Sequence, residues 1–478
     1  MSHLPLSGPP GGVQNTEARP PRSVRFTLDG HPFEGLEGES IAAALFRAGE
    51  RTLSHSVKFH RPRSISCGRG RCTMCHVEVD GTPGVRACIT PVAGGMAVRR
   101  QDFRPFFAPM LTAAVRLLPF PAGFYFRFFT RPMLLRKMFL GTLRRMAGVG
   151  RVPAQVKPAA AGTPARYALS RLAPRYDVAV VGAGISGMQA AVSAAQAGAQ
   201  VLLVDEYPAP GGHSIGTTGD AELHGERDRL RGELERSSVT CVAGCSAHGF
   251  YGGGTLLLGP VLPAPDNTTG FRRVRAASMV IAAGANDLTP LFDNNDTPGV
   301  FGARGLRLFL ERDGLVPGRR AVIWGTAEEC AAAHAMLHAH DVNVAAVLYV
   351  EGGGDLPGAR MHRRARVVGA IGGNWLRRVR FEAADGSAGD IECDLLCVAM
   401  PGQPAPELAQ QAGFGFELGG GASKDAVEDT RVMLPTSTAI ENDGARCVLV
   451  GEAAGVNGWR EKVEMAAKAG RAAAEVRG

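Results

Sequence analysis

Hydrophobic and polar residues alternate in short runs, broken by glycine, over residues 23–100 of this chain. SVRFTLDG and HPFEGLEGES have the period of two that is typical of paired strands, and CHVEVDG repeats it further on. IAAALFRAGE has helical spacing, with Ser40 as a candidate N-cap. The pattern predicts a hairpin, a helix, a loop and further strands within one small domain.

The pattern changes at Tyr176, where the apolar runs become long and continuous. YDVAVVGAGISGMQAAVSAAQAGAQVLLVDE predicts a buried strand, a glycine turn, an alanine-rich helix and a second buried strand. Such a βαβ unit opens a doubly wound α/β domain of the Rossmann type. Similar strand, turn and helix patterns return at 319–351 and 447–475.

A connector of different composition separates the two patterns at 101–165. FPAGFYFRFFTRPMLLRKMFL within it predicts a helical hairpin that docks its aromatic side chains on neighbouring domains, or a subunit interface, or a membrane-surface helix. A proline and alanine linker ends it at 152–165. We therefore expect a polar, disordered N-terminus at 1–22, a first domain at 23–100, this connector, and a second domain at 166–478.

The charge is distributed unevenly along the 478 residues. Residues 1–165 carry 23 Lys and Arg against 9 Asp and Glu, a balance of +14, whereas the remainder carries 30 against 36, a balance of −6. The basic part favours an acidic partner or cofactor, or a solvated basic face, and without a recognition motif it does not favour nucleic acid. We find neither a signal peptide nor a transmembrane segment, and expect a cytoplasmic chain.

Four cysteines have the spacing C-x4-C-x2-C, followed after twelve residues by a fourth: Cys67, Cys72, Cys75 and Cys88. Three thiolates in one short loop and a fourth from a nearby turn are the ligand pattern of plant-type ferredoxins, so these four are the predicted metal ligands of a 2Fe–2S cluster. The first domain is then a β-grasp ferredoxin-like domain. The other six cysteines lie mostly in apolar surroundings and are predicted to be buried thiols, typical of a reducing compartment.

Three arginines lie within the predicted ligand loops, namely Arg69, Arg71 and Arg86. Positive charge near the sulfurs stabilises the reduced cluster, which is the more negative form, and raises its potential. A solvated loop surface is the alternative for these side chains.

Gly182, Gly184 and Gly187 form G-x-G-x-x-G between a predicted strand and a predicted helix. In this context the glycines permit a tight turn, a close approach of pyrophosphate to the backbone, and close packing of helix on strand. Asp205 ends the following strand, where a carboxylate can hold ribose hydroxyls, and Glu206 beside it is the competing candidate. The segment predicts a dinucleotide site for FAD, NAD or ATP.

Two further segments, PAPGGHS and VLVGEAAG, favour FAD because they resemble parts of the flavin disulfide-reductase superfamily, and a third segment resembles another part of it. PAPGGHS supplies Gly211 and Gly212 after the acidic residues, and VIAAGA, around Gly284, resembles the segment that joins the two nucleotide domains. VLVGEAAG resembles the strand whose terminal acid, normally Asp, binds the flavin ribityl chain. Here that acid is Glu452, one methylene longer, so we expect a shifted contact.

The second nucleotide motif is degenerate. In AVIWGTAEECAAA, only Gly325 matches the glycine pattern, while Ala327 and Cys330 replace the second and third glycines. Glu328 and Glu329 put negative charge where a pyrophosphate would lie, and like charges repel. We therefore expect the half around 300–400 to keep the Rossmann shape without binding NAD(P)H.

SHSVKFHRPRSISCGRGRCTMC and VRACITPV resemble the ferredoxin-type component of multi-subunit amine oxidoreductases. LPFPAGFYF, the first glycine motif and NNDTPGVFGARGLRLFL resemble the alpha chain of heterotetrameric sarcosine oxidase and the flavin subunits of hydrogen cyanide synthase, opine oxidase and D-hydroxyproline dehydrogenase. The resemblance covers roughly residues 23–478, as iron–sulfur and flavin subunits fused in one chain. The sarcosine oxidase alpha chain continues into an aminomethyltransferase-like folate domain, so folate chemistry is not expected here.

The resemblance implies an electron-transferring subunit of an amine or amino-acid dehydrogenase complex. A separate amino-acid-oxidase-like flavoprotein would oxidise the substrate, and this chain would relay electrons between flavin and a 2Fe–2S cluster, with FMN as a further cofactor at the subunit interface. Two alternatives remain from the residues: a stand-alone NAD(P)H-dependent ferredoxin-type reductase, and a non-enzymatic redox-sensing cluster protein. No residue pattern singles out a proton-transfer catalyst.

Overall fold

The computed structural model describes residues 22–56, 61–101, 169–207, 209–212, 221–261, 271–419 and 430–476, together with Met133 and Lys137. The predicted N-terminal disorder falls almost wholly outside these residues, as do nearly all of the connector's predicted helical hairpin and the linker.

The described strands and helices follow in chain order. The strands are β1 (Ser23–Leu28), β2 (His31–Leu36), β3 (Ser54–His55), β4 (Pro62–Arg63), β5 (His76–Val79), β6 (Thr82–Arg86), β7 (Ala97–Arg100), β8 (Arg175–Val181), β9 (Val201–Asp205), β10 (Thr240–Ala243), β11 (Cys245–Tyr251), β12 (Thr255–Pro260), β13 (Arg272–Ile281), β14 (Ala285–Asp287), β15 (Val300–Gly302), β16 (Arg320–Gly325), β17 (Asn343–Tyr349), β18 (Arg360–His362), β19 (Ala365–Gly372), β20 (Leu376–Ala383), β21 (Ala388–Glu392), β22 (Leu395–Ala399), β23 (Gly402–Pro404), β24 (Phe416–Gly419), β25 (Val432–Pro435), β26 (Ala439–Asn442) and β27 (Ala445–Leu449). The helices are α1 (Ile41–Arg47), α2 (Ile185–Gln196), α3 (Ala221–Arg236), α4 (Ala303–Arg307), α5 (Ala327–Ala339), α6 (Glu407–Gln411) and α7 (Trp459–Ala474). Shorter turns are 3-10 at Leu169–Arg171 and Gly451–Ala454, and a π-turn at Leu308–Arg312.

The first domain is a five-stranded sheet in the order β2-β1-β7-β5-β6. Strands β1 and β2 form the predicted hairpin, and β1 lies parallel to β7. Helix α1 buries Ile41 and Leu45 completely. The Ser40 hydroxyl accepts a hydrogen bond from the Ala43 N–H at 3.1 Å, which confirms the predicted N-cap.

The second domain carries the predicted dinucleotide motifs and is called the nucleotide domain below. It begins with a larger sheet, whose parallel part has the order β10-β9-β8-β13-β27. Residues 178–181 of β8 and 201–204 of β9 are apolar, and alternate side chains of these runs enter cores on the two faces of the sheet. Helices α2 and α7 pack on one face, and β11 and β12 extend the sheet as antiparallel strands.

A second parallel sheet in the order β15-β22-β16-β17-β18 follows, with an antiparallel sheet β19-β20-β21 beside it. The degenerate second nucleotide motif leads into helix α5, which spans residues 327–339. The predicted class, a ferredoxin-like domain followed by a doubly wound α/β domain, is therefore confirmed.

One hydrophobic core runs from the first domain into the second parallel sheet. Phe46 of α1 packs edge-to-face on Phe309 with ring centroids 4.8 Å apart, and it also contacts Trp375. Arg51 lies over the Phe46 ring at 4.0 Å. Since burial of one phenylalanine side chain contributes about 2 kcal/mol, these aromatic contacts hold the first domain firmly against the second.

Candidate cofactor cavity and cluster loop

The β5–β6 hairpin and the loop that precedes it carry the four predicted cluster cysteines. Cys75 immediately precedes β5 and Cys88 follows β6 by two residues, so strand pairing places both at one end of the hairpin. The loop that carries Cys67 and Cys72 turns through Gly68 and Gly70, which have φ of 61° and 72°. The positive φ of Gly70 is one that other residues rarely adopt, and a Cβ there would also meet the Ile89 side chain at 2.6 Å, so glycine is favoured at this position.

The four thiols lie close enough to influence one another. Cys67 interacts with Cys72 and Cys88, and Cys75 interacts with Cys88. These thiol contacts lower the pKa of Cys67 and Cys75, with backbone N–H groups helping, and raise the pKa of Cys72 and Cys88.

Backbone N–H groups of the loop point inward at the sulfurs. Cys67 Sγ accepts from the N–H groups of Arg69, Arg71 and Cys72 at 3.3–3.4 Å, and Cys88 Sγ accepts from Gly70 at 3.2 Å. Such donors stabilise thiolates. A 2Fe–2S cluster with four cysteine ligands matches this donor set. In the described part of the chain, no three or more His, Cys, Asp or Glu side chains form a site for a single metal ion.

The first glycine motif lies at the mouth of α2, where the sequence predicts it. A Cβ at Gly182 would lie 2.3 Å from the Ala282 carbonyl oxygen, and one at Gly187 would lie 1.7 Å from that of Gly182. Gly184 is the N-cap of α2 and forms a bridge with Gly211, while a Cβ on Gly212 would lie 2.8 Å from Gly184 Cα. The two glycine segments therefore form one narrow cradle at a helix N-terminus, which suits phosphate.

The two acidic candidates at the end of β9 have different contacts. Asp205 accepts hydrogen bonds from the N–H groups of Ala183 and Tyr207, and burial raises its pKa. Glu206 accepts from the Ser246 hydroxyl at 2.6 Å and lies 3.7 Å from Arg86 of the first domain. Asp205 thus fixes the glycine turn, and Glu206 joins the two domains. The sequence did not indicate the link to Arg86.

Gly284 and Glu452 lie side by side although 168 positions separate them in the sequence. A Cβ on Gly284 would lie 3.7 Å from Glu452 Oε2. Glu452 Oε1 accepts from Lys462 at 3.1 Å and lies 3.8 Å from Arg304, a residue that no sequence motif singled out. Arg304 Nη1 is buried and makes no hydrogen bond to any described residue. This nitrogen is a donor available to an acceptor on a bound cofactor.

A single cavity of about 630 Å³ collects these groups. Its lining includes all the predicted dinucleotide residues except Gly187, which packs behind the turn: Gly182, Gly184, Asp205, Glu206, Gly211, Gly212, Gly284 and Glu452. Arg69 and Arg71 of the cluster loop line the same cavity. The nucleotide site and the cluster loop therefore share a wall.

Two of the three arginines in the ligand loops are largely shielded from solvent. Arg69 is 9% exposed and donates to the Ala285 carbonyl at 2.5 Å. Arg86 donates to the Gly70 carbonyl at 3.2 Å, whereas Arg71 is exposed and lies 4.0 Å from Glu407. Arg69 and Arg86 thus join the ligand loops to the nucleotide domain, which differs from the solvated-surface alternative.

The degenerate second motif faces the same cavity. Glu328 and Glu329 in the first turn of α5 line it, and Glu329 lies 3.8 Å from Arg304. Burial raises the pKa of Glu329, and the positive charge of Arg304 partly opposes this shift. Cys330 is fully buried, and burial raises its pKa. The first turn of α5 therefore presents carboxylates where a phosphate-binding helix presents only N–H groups.

Comparison with known families divides the chain in the same way. Residues 21–102 match the family described as a 2Fe-2S iron-sulfur cluster binding domain, and residues 177–237 match the FAD dependent oxidoreductase family. The chain thus combines an iron–sulfur domain with an FAD-dependent oxidoreductase domain. In the part that the structure describes, no helix is long and apolar enough to cross a bilayer.

Named proteins are similar to this chain over longer stretches than these two family matches. The alpha chain of sarcosine oxidase from Rhizobium meliloti (strain 1021) is 31% identical over 413 residues, which are 82% of this chain and 41% of that protein. An opine oxidase component from the same strain is 32% identical over 161 residues, 32% of this chain and 33% of that one. The chain thus spans less than half the length of these relatives. The L-proline dehydrogenase structure from P. horikoshii has the same fold, with a TM-score of 0.63 at 18% identity over 95% of this chain and 73% of that one.

Proposed function

We propose that this chain, an iron–sulfur flavoprotein oxidoreductase homologous to sarcosine oxidase alpha chains, relays electrons between a flavin and a 2Fe–2S cluster within an amine- or amino-acid-oxidising complex. One observation carries the proposal: the cavity bounded by the dinucleotide glycines is also bounded by Arg69 and Arg71 of the cluster loop. A cofactor in this cavity would therefore lie against the cluster loop.

We assign FAD to this cavity. Gly182, Gly184 and the α2 N-terminus would bind its pyrophosphate, with Gly187 permitting the close packing behind them. Asp205 and Glu206 would flank the ribose, although Asp205 also holds the turn through Ala183.

The flavin end of FAD would meet a different set of groups. Gly284 and Glu452 would lie beside it, and Gly211 and Gly212 would close the cradle. The buried Nη1 of Arg304 is the donor that supports a cofactor with acceptors there, as a flavin ring has. NAD and ATP remain alternatives for the dinucleotide cradle, and FMN remains one at a subunit interface.

The cluster would be held by Cys67, Cys72, Cys75 and Cys88. A flavin takes up electrons in pairs and releases them singly, whereas a 2Fe–2S centre carries one at a time, so together they convert two-electron into one-electron transfer. The chain's own residues would keep the two sites close and dry. Tyr207 and Arg69 occupy the space between loop and cavity, and burial raises the pKa of Tyr207, so it stays neutral.

Substrate oxidation is assigned to a partner, an amino-acid-oxidase-like flavoprotein in a hetero-oligomer.

The stand-alone NAD(P)H-dependent reductase is the second candidate. It would need NAD(P)H beside the flavin at α5, where Glu328 and Glu329 carry the wrong charge for a pyrophosphate. If NADH bleached the flavin of the purified chain at a catalytic rate, this candidate would replace our proposal.

The Cys72→Ser variant of the co-purified complex tests the relay. We expect it to retain flavin, to lose the 2Fe–2S electron paramagnetic resonance (EPR) signal, and to lose at least tenfold of substrate-to-acceptor turnover. Cys241→Ser is the matched control, because Cys241 is a half-buried thiol outside the ligand loops. Unchanged turnover in Cys72→Ser without the EPR signal would exclude the relay and favour a sensing or structural cluster.

A further inference from the structure

Arg312 of the nucleotide domain binds both cysteine-bearing segments of the cluster site at once. Its Nη1 donates to the Gly68 carbonyl at 3.0 Å, and its Nη2 donates to the Cys88 carbonyl at 3.3 Å. Gly68 follows Cys67, and Cys88 carries the fourth thiol. A planar guanidinium presents several donors in a fixed fork, so one side chain can hold two carbonyls in a defined relation.

Asp313 fixes the guanidinium from the other side. Its carboxylate accepts from Arg312 Nε at 2.8 Å and from Nη2 at 2.7 Å. The two side chains are only 18% and 6% exposed, so solvent screens the pair weakly. Because the guanidinium touches the ligand segments directly, its positive charge lies on the cluster side of the pair.

The backbone N–H groups and the carbonyl groups of the ligand loop point in opposite directions. Loop N–H groups at 69–72 point at the sulfurs, while carbonyls on the outside of the loop receive donors from other segments. Gly68 O accepts from Arg312 and lies 3.5 Å from the Tyr207 hydroxyl, and Gly70 O accepts from Arg86. Several residues make hydrogen bonds to these segments. Among the described residues of the nucleotide domain, Arg312 is the only one whose hydrogen bonds join the ligand loop to the Cys88 backbone.

Arg312 reaches this position because the chain makes a π-turn. Helix α4 continues directly into the π-turn Leu308–Arg312. The hydrogen bonds of a π-turn span five residues, one more than those of an α-helical turn. Such π-turns often accompany functional sites. Gly305 in α4 lies against the Ser66 carbonyl, and Leu308 lies against Gly68, so this segment is seated on the ligand loop before Arg312 is reached.

We propose that Arg312, balanced by Asp313, is a positioning residue that sets the reduction potential of the cluster and holds Cys67 and Cys88 in register. The inference rests on the proposed cluster site. Reduction adds one negative charge to the cluster, and a nearby cation stabilises that charge. Loss of Arg312 leaves the Asp313 carboxylate in the same place, whereas loss of the Asp313 charge leaves the guanidinium unopposed. The two losses should therefore change the potential in opposite directions.

Three variants of the holoprotein test this with an EPR-monitored redox titration. We expect Arg312→Gln to make the midpoint potential more negative and Asp313→Asn to make it more positive. Arg312→Lys should keep the charge, and so stay nearer to the wild type than Arg312→Gln, but lose cluster faster because one ammonium cannot copy the fork. Arg380→Gln is the control, since Arg380 forms an exposed ion pair with Asp390 in the antiparallel sheet.

Shifts of one sign, or no shift, in Arg312→Gln and Asp313→Asn would overturn the inference, because a purely structural role predicts no sign reversal. If Arg312→Gln fails to retain cluster, Asp313→Asn decides by itself: a positive shift supports the inference, and its absence overturns it. A wild-type protein with no iron and no EPR signal would instead refute the proposed cluster site.

Discussion

Gly305 lies directly against Cys67, since a Cβ built on Gly305 would come within 2.9 Å of the Cys67 Cα. The same Cβ would lie 2.5 Å from the Ser66 carbonyl oxygen. Backbone atoms cannot move aside as a flexible side chain can. The contact between the nucleotide domain and the cluster loop is therefore as close as two main chains allow.

Gly305→Ala is expected to separate the two domains locally and to make the cluster labile. Overpacking of this kind costs about 1–3 kcal/mol. Iron content and the rate at which visible absorbance bleaches in air would measure the effect. Gly94→Ala is the control in the first domain, because a Cβ there meets nothing within 4 Å. Equal cluster lifetimes in the two variants would contradict the expectation.

Gly187→Ala should lower flavin retention. The added Cβ would lie 1.7 Å from the Gly182 carbonyl oxygen, so α2 must move away from the turn that forms the phosphate cradle. We expect destabilisation of about 1–3 kcal/mol. The flavin-to-protein absorbance ratio and urea unfolding would report it. Gly225→Ala is the control, because a Cβ at this position in α3 would meet nothing within 4 Å. This variant should instead stabilise the protein by about 0.5–1 kcal/mol.

Lys462→Met should destabilise the protein by about 1.5–3 kcal/mol, because it removes the hydrogen bond from the nearest cation to the Glu452 carboxylate and leaves only Arg304, 3.8 Å away. Both side chains of this pair are only 14% exposed. Denaturant unfolding gives the free energy. Lys468→Met on the same helix breaks a pair with Glu464 in which both side chains are 69% exposed, and should cost less than about 0.5 kcal/mol. Equal costs for the two variants would refute the importance of the Glu452 pair.

Glu329→Gln should raise the melting temperature more at pH 8 than at pH 5. Burial raises the pKa of Glu329 above its value in the unfolded chain. Its contribution to stability is therefore complete below the unfolded pKa and is lost as the pH rises through the folded pKa. A glutamine at position 329 does not ionise, so the variant does not lose this stability as the pH rises.

Asp390→Asn provides a control of opposite sign for the pH experiment. Its hydrogen bond with Arg380 lowers the pKa of this exposed carboxyl, so its contribution is present above the unfolded pKa and is lost as the pH falls. This variant should show no gain in melting temperature at pH 8. A gain for Glu329→Gln that is equal at pH 5 and pH 8 would disagree with the assigned shift.

The local motifs could be predicted because short-range rules specify them. The Cys67 loop and the Gly182 turn each need particular residues at fixed spacing, and both form as expected. The connector's predicted hairpin and linker fall on residues outside the described part and stay predictions, apart from helical geometry at Met133 and Lys137.

Contacts between distant segments could not be predicted, since no periodicity encodes them. Nothing in the sequence indicated that Arg312 would reach Cys88, or that Glu206 would lie near Arg86. The shared wall of the cavity is a similar case, because it depends on how the first domain packs against the nucleotide domain. An arginine that ends a π-turn, as Arg312 does, has no recognisable sequence pattern.

The hydrogen bond from Arg312 to Gly68 spans 244 positions of the chain, and this separation has a consequence for biosynthesis. At ~5–20 residues per second, about 12–50 seconds pass between translation of the ligand loop and translation of the arginine that secures it. During that interval the four thiols emerge without their outer cover. Iron and sulfide would then be delivered most safely after residue 312 has left the ribosome, which makes assembly of the centre a late, post-translational event.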